Sequence, residues 1–546
     1  MKAPFKELKN INNKLIVKIW FLYVDCFLLF NTIRFLKFSQ VYYRFYFFFR
    51  KKILRNRIKK NLLPSFDPIN WESELKQPSS YSNKTFSFLN TTHDFSAQID
   101  WNYSKYGKLW TYYLNYFDFL NQNHISQEIG INLIHDYIKN DQILIDGKES
   151  YPISLRGINW VKFLTKNEIE NPLVNNTLFN HYKILYNNIE YHLLGNHLLE
   201  NAFSLFFGAY YFQDEKLYSK SKKILKKQLN EQILEDGGHF ELSPMYHQII
   251  LFRILDCIQL IKLNSWKNDD LLKLLKESSS KMLSWLDNVT FKNGDIPMVN
   301  DSAFQIAPSS EELLDYGIAL GINKKDIKLS DSGYRMFKNN NYELFMDMGG
   351  VKASYQPGHV HSDIFNFILY KNNLPFIVDT GTSTYEKNKR RQLERSTSSH
   401  NTITIGDYEQ TEVWGGFRVA KRAKIVSFSE SENEFSSSHD GYKKIGVIHN
   451  RNFITNLDSI RIYDELNKQD IYEQIAHFHF HPSIKNIVIK NTSVFFENLG
   501  VEISFRGKNI SIDKESYRFA HGFNKTENAI KLKVVFESNL ETIIKL

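Results

Sequence analysis

From about Lys105 to Ile318, apolar residues recur every three or four positions, the spacing that lays one apolar stripe along a helix. The segments Leu109–Leu120, Ile125–Ile138, Ile158–Leu164, Asn180–Leu194, His197–Phe212, Lys216–Ile233, Tyr246–Leu263 and Leu271–Leu286 each carry it, and Gly195, Gly237-Gly238 and Asn293-Gly294 punctuate the run. So many helices with short connections predict an α/α array, an incomplete toroid or an open solenoid, and no fixed-period repeat accompanies them. After Gly333 the texture changes. Tyr342–Met348, Ile364–Tyr370, Phe376–Val378, Thr402–Ile405, Ala423–Phe428, Lys444–Ile448, Ser459–Asp464, Ala476–His481, Ile484–Ile489, Val501–Phe505 and Ile530–Phe536 are short and β-branched or aromatic. They predict an antiparallel β-sandwich. The chain thus divides into an N-terminal helical arm and linker (1–75), a helical domain (76–325) and a β domain (326–546), with a cleft between the last two where a ligand would bind.

The N-terminal arm has two apolar stretches. Ile19–Phe30 follows several lysines but is interrupted by Asp25 and is short for a membrane span. Val41–Phe49 contains Arg44 and is followed by Arg50, Lys51 and Lys52. The pattern predicts amphipathic helices that pack on the next domain or lie at a membrane surface. No small-residue cleavage site follows, and an uncleaved anchor is the alternative. The segment from Leu63 to Lys84, with Pro68, Pro78 and paired serines, reads as a linker.

Composition narrows the partner. The net charge of +9 over 546 residues favours polyanions. No zinc-finger spacing, RNA-binding signature or continuous basic helix points to nucleic acid. Aromatic residues make up 15% of the chain, which suits a sugar-stacking cleft but equally an AT-rich coding bias. Cys26 and Cys257 define neither a disulfide framework nor a CxxC metal site.

The chemistry-bearing residues cluster in a few segments. In Gln356-Pro-Gly-His-Val-His-Ser-Asp363, an extended backbone would put His359, His361 and Asp363 on one side. Two imidazoles and a carboxylate suit a divalent metal such as zinc, or a division of labour between metal binding and proton transfer. Asp379, at the end of an apolar strand, and His400, just before another, are candidates to complete the metal set with His361. In the helical half, Asn196 and His197 open a helix after Gly195, a place that favours anions. Asp236-Gly-Gly-His-Phe-Glu-Leu-Ser-Pro-Met-Tyr246-His247 gathers His239, Glu241 and Tyr246 in one helix connection. Arg390, Arg391 and Arg395 are candidates to bind an acidic polymer.

Taken in order, Gly-Asn-His-Leu, Asp-Gly-Gly-His-Phe-Glu-x-Ser-Pro-x-Tyr-His, Pro-Gly-His-x-His-x-Asp, Val-Asp-x-Gly-Thr-x-x-Tyr and Arg-Ser-Thr-x-x-His-Asn-Thr resemble the heparinase II/III family of polysaccharide lyases. The resemblance implies an incomplete α/α toroid followed by an antiparallel β-sandwich, and β-elimination on a uronate-containing polysaccharide. It implies that Asn196 and His197 contact the uronate carboxylate, that Tyr246 is the catalytic tyrosine and His359 its partner. It places His239, Glu241 and Arg395 at the substrate and His361, Asp379 and His400 at a metal of structural role. Degradative relatives are exported, so the resemblance favours the periplasm or cell envelope; the absence of a clear cleavable signal leaves the cytoplasm open. The alternatives are a non-catalytic glycan-binding or assembly protein of a polysaccharide export system, and a metal-dependent hydrolase.

Overall fold

The computed structural model describes residues 26–53, 69–72, 75, 77–267, 270–468 and 472–546. Residues 19–25 of the first apolar run and 63–68 of the expected linker lie outside the described residues.

The helical domain runs from Lys108–Tyr116 to Ser310–Ala319. Several of its helices start where the sequence supplies a side-chain acceptor for the unpaired first-turn N–H groups. Asn171, Asp214 and Ser243 each cap a helix in this way, with proline following Asn171 and Ser243. The helix Gly195–Phe212 is apolar on nearly every side, and all but one of its residues are buried. It therefore sits at the centre and packs on Ser150–Lys166, Glu215–Gln232 and Pro244–Leu263. Trp110, Trp160, Phe203, Phe206 and Leu255 lie in the same continuous core.

The described part of the β domain has two large sheets and a two-stranded ribbon, Val413–Trp414 with Arg418–Val419. Four antiparallel strands, Tyr334–Lys338, Tyr342–Asp347, Phe367–Lys371 and Leu374–Ile377, form the first in sequence order. The second has ten strands and is built round one hairpin, Val501–Gly522 with Lys525–Lys545. Leu344, Phe367 and Phe376 from the first sheet meet Phe453, Phe478 and Phe505 from the second in one core. A smaller cluster of Trp285, Phe291, Tyr334, Phe345 and Ile368 glues the first sheet to the helical domain.

The expected order, helical array then antiparallel sheets, is what the chain forms. Local details differ. A three-stranded meander, Tyr81–Ser82, Thr85–Phe88 and Thr91–Asp94, begins inside the segment read as linker and seats Phe86 and Phe88 in the helical core. The helix expected over Asn180–Leu194 runs instead over Pro172–Asn187, because the Asn171-Pro172 cap starts it early. Lys444–Ile448 is not a strand; residues Lys443–Ile445 form a 3₁₀ turn before the strand His449–Thr455.

The arm packs on the body. In the helix Phe38–Ile53, the fully buried Gln40 donates to Leu193 O and to Tyr355 O, both at 3.2 Å. One residue belongs to the helical domain and the other to the β domain, so a single amide ties the two. Tyr43 stacks on Tyr191 with ring centroids 4.7 Å apart, and Arg50 donates to Asn188 Oδ1 at 2.7 Å. On the opposite face Phe38, Tyr42, Phe45 and Phe49 are exposed. Among the described residues no helix is long and apolar enough to cross a membrane.

Candidate active site

A cavity of about 590 Å³ opens at the seam between the helical and β domains. The helical side contributes Tyr151, Asn196, His197, Tyr246 and Arg253, and the β side Gln356, His359, Tyr385, Phe417 and Arg418.

Asn196 and His197 form the first turn of the central helix. The chain enters that turn through Leu194 and Gly195, both at positive φ. A Cβ on Gly195 would stand 2.3 Å from Glu241 Oε1, so glycine is needed twice over, for conformation and for space. Glu241 lies behind the turn. It accepts the Asn196 backbone N–H at 3.0 Å and its Nδ2 at 2.8 Å. A carboxylate at a helix N-terminus is favoured by the helix dipole, and here it also fixes the amide side chain. His197 is partly exposed and its Nδ1 pairs with Glu190 Oε1 at 3.2 Å. Burial works against its charge, but Glu190, Glu241 and Glu200 outweigh it and raise its pKa above the ordinary value. The acidic neighbours of His197 thus favour its charged form.

His359 faces this turn from the β domain. Its Nδ1 lies 2.9 Å from Asp301 Oδ2, and its Nε2 lies 3.3 Å from Asn196 Nδ2. The geometry assigns the tautomer: Nδ1–H donates to the carboxylate, and the Nε2 lone pair accepts from the amide. His359 Nε2 thus faces the Asn196 turn on the cavity side, while Nδ1 is held by Asp301. The Tyr246 ring packs against it with centroids 4.0 Å apart, and Tyr246 Oη is 3.2 Å from Tyr385 Oη. Burial, more than the nearby acids Asp301 and Glu241, pushes the Tyr246 phenol well above its usual pKa. It holds its proton at neutral pH.

Asp301 organises the β side. Although fully buried, it accepts from His359, from His361 Nε2 at 2.9 Å and from both terminal nitrogens of Arg391, with Arg391 Nη2 at 2.6 Å from Oδ2. Burial alone would favour its protonated form; Arg391, then the two histidines, hold its carboxyl well below the usual range. The segment 356–366 is not the extended strand that would align His359, His361 and Asp363. It is an irregular loop, and the two imidazoles instead converge on one carboxylate supplied by the helical domain.

Three residues expected at the substrate stand back from it. Glu241 acts through Asn196. His239 is buried and pairs with Gln232 Oε1 at 3.0 Å. Arg395 is fully buried and donates to the Val360 and Gly416 carbonyls, so it shapes the His359 loop from behind. Arg391 likewise spends its guanidinium on Asp301.

The expected metal residues lie together but not as a formed cage. His400 Nδ1 is 2.7 Å from Asp379 Oδ2, and Asp379 also accepts from Asn366 Nδ2 and the Gly381 N–H. The His361 and His400 rings have centroids 5.4 Å apart. His361 Nδ1, His400 Nε2 and Asp363 Oδ2 are buried without a hydrogen-bond partner, and such orphans suit a cation. Among the described residues no three His, Cys, Asp or Glu side chains are already arranged as metal ligands. The donor chemistry fits a divalent ion; the closure of its shell is not drawn in this arrangement.

An incomplete helical toroid followed by antiparallel sheets is a fold shared with solved heparinase structures. A solved heparinase III superposes with a TM-score of 0.62 at 17% identity, covering 82% of this chain and 79% of that one. Heparan sulfate lyase HepC from Pedobacter heparinus superposes with a TM-score of 0.53 at 14% identity, covering 85% and 81%. The chain belongs to the heparinase II/III family: the heparinase II/III N-terminus matches residues 153–316 and the heparinase II/III-like C-terminal domain residues 321–545. A heparin-sulfate lyase of Bacteroides stercoris is 24% identical over 252 residues, which span 41% of this chain and 37% of that protein.

Replacing Asp301 by alanine leaves the buried Arg391 charge without its carboxylate, a change that costs about 3–5 kcal/mol in comparable sites. Asp301→Ala is expected to lower the denaturation midpoint markedly, with Asp301→Asn intermediate. A midpoint equal to wild type in both variants would show that Asp301 is not the seam's anchor.

Proposed function

We propose that the protein is a polysaccharide lyase that cleaves a uronate-containing glycan by β-elimination. The observation that carries this reading is the pairing, in one cleft, of the His359 imidazole, its Nδ1 held by Asp301, with a phenol that keeps its proton, beside the Asn196 amide and His197, whose acidic neighbours favour its charged form. Asn196 and His197 bind the uronate carboxylate and stabilise the negative charge that spreads into it as the adjacent carbon loses its proton. His359 Nε2 takes that C5 proton, while Asp301 holds the ring and stabilises the imidazolium that forms. The C4–O bond breaks, a C4=C5 double bond forms, and Tyr246 gives its proton to the departing glycosidic oxygen. No water is consumed, which separates this chemistry from the hydrolase alternative.

Relatives named as heparin-sulfate lyases support a uronate polymer as substrate, and heparin-like chains are one member of that class. The test is the ultraviolet absorbance of the conjugated, unsaturated uronate on incubation with a panel of such polymers. Wild type is expected to produce it, and Tyr246→Phe and His359→Ala to lose about 100-fold or more, the usual weight of a general acid or base. No absorbance with any uronate polymer, together with binding that survives in Tyr246→Phe, would favour the non-catalytic glycan-binding alternative.

The same reading gives His361, His400 and Asp379 a divalent ion, zinc by the mix of nitrogen and oxygen donors. Such an ion supplies fixed positive charge that holds the β side in shape. The unpartnered His361 and His400 nitrogens support it. Elemental analysis of protein purified without chelator is expected to find about one ion per chain, falling well below that in His400→Ala; metal-free wild type would overturn the assignment.

The arm completes the reading. Its exposed face of Phe38, Tyr42, Phe45 and Phe49, on a chain of net charge +9, is suited to lying on an anionic membrane surface at the cell envelope. Binding to vesicles containing acidic lipid, weakened in Phe45→Ser with Phe49→Ser, is the expected result. Equal flotation of wild type and double variant would remove the membrane from the account.

A further inference from the structure

The cleft wall has a component that the family-matched segments do not supply. Arg44 comes from the arm helix, outside residues 153–316 and 321–545, and lines the same cavity as Asn196, Tyr246 and His359. Arg418 lines it from the β domain. The other cations of this wall are engaged. Lys108 pairs with Glu149 at 2.8 Å, and Arg253 with Glu200 at 3.3 Å. Among the described residues neither Arg44 nor Arg418 has a carboxylate partner. Arg44 donates to the His192 carbonyl at 3.3 Å, and Arg418 lies over the Trp414 ring at 4.7 Å. Both are exposed.

Both guanidiniums border the same cavity, Arg44 from the arm and Arg418 from the β domain. Partial burial, then the charge of Arg418, lowers the Arg44 pKa. Two like charges held together beside a cavity, without a counter-ion, are a cost that an arriving anion relieves. Glu386 and Asp118 are the acids of the same lining; Asp118 accepts from Asn159 at 2.5 Å, and Glu386 is exposed. Guanidiniums suit planar or tetrahedral oxyanions because their paired N–H groups match two oxygens at once.

We propose that Arg44 and Arg418 form a second anion-binding subsite, which takes the carboxylate or ester sulfate of a sugar neighbouring the one held at Asn196 and His197. The arm is then part of the substrate site, and the preferred polymer carries acidic groups on adjacent sugars. This rests on the cleft being the glycan site proposed above.

The experiment uses the full chain with Arg44→Gln, Arg44→Lys and Arg418→Gln. Three polymers are compared: a homopolymeric uronate, a copolymer of uronate with an unsulfated neutral neighbour, and the same copolymer sulfated on that neighbour. The glutamine variants are expected to raise KM about tenfold on polymers with an acidic neighbour, with kcat little altered, while Arg44→Lys recovers part of the loss. The ratio of kcat/KM between acidic-neighbour and neutral-neighbour polymers should fall about tenfold. Preference for the homopolymer or for the sulfated copolymer tells carboxylate from sulfate. An equal loss on all three polymers would assign Arg44 only to holding His192, and no loss would remove the subsite; either overturns the proposal. Calorimetric affinities in a Tyr246→Phe background give the same comparison without turnover. A wild type that cuts nothing would sink the lyase reading while the affinities still judge the arginines, and unchanged affinities would sink the subsite alone.

Discussion

The site depends on a carboxylate that has been taken out of water. Asp301 belongs to the helical domain, yet its partners His359, His361 and Arg391 all belong to the β domain. An ionised carboxylate in a dry interior is costly by several kcal/mol unless its oxygens are saturated with donors. Here a forked guanidinium and two imidazole N–H groups saturate them. The same contacts that offset the burial also fix which nitrogen of His359 carries its proton. The charge that joins the domains and the tautomer that the chemistry needs are one requirement.

Electrostatics elsewhere in the cleft follow from that anchor. With Arg391 committed to Asp301 and Arg253 to Glu200, His197 and Asn196 are the polar groups of the central helix that face the cavity. Glu241 is close to both Asn196 and His359, with 3.7 Å between its Oε2 and His359 Nε2. It accepts two hydrogen bonds from Asn196, so its charge is spent on orienting the amide rather than presented to the ligand. Phenols buried against this frame stay protonated. The division between an inward-facing base and a proton-holding acid thus arises from burial and hydrogen bonding.

Much of this was legible in the chain, and the rest was not for identifiable reasons. Asn196, Tyr246 and His359 stand inside dense segments whose residue types are unusual for a helix connection or a loop, and they do meet in one cleft. Asp301 carries no such signal: it follows Asn300 in a polar turn, where an acid is ordinary. Only the fold shows that the turn, with Asn300 at positive φ, points it across the seam. Arg395 was expected at the substrate because sequence does not reveal that the Val360 and Gly416 carbonyls surround it. The meander Tyr81–Asp94 escaped notice because its strands are very short, Ser- and Thr-rich, and owe their place to Phe86 and Phe88. The long hairpin of the large sheet showed only its apolar portions, Val501–Phe505 and Ile530–Phe536; residues such as Lys508, Asn509 and Asp513 obscured the continuity between them.

The arm shows where reading by segments has its limit. Its apolar spacing predicted an amphipathic helix, and a helix forms. What the helix does depends on a polar residue: Gln40, fully buried, donates to Leu193 just before the Asn196 turn and to Tyr355 just before the His359 loop. A buried amide left with one partner pays the desolvation penalty of the other donor, so both loops are held at once or neither is. Lys37 reinforces the link through Glu231, which also accepts from the Tyr355 hydroxyl at 2.5 Å. The distance between the Asn196 turn and His359 is therefore set partly by a helix that neither family domain includes. Changes in the arm would reach the chemistry through that spacing, even where they touch no ligand.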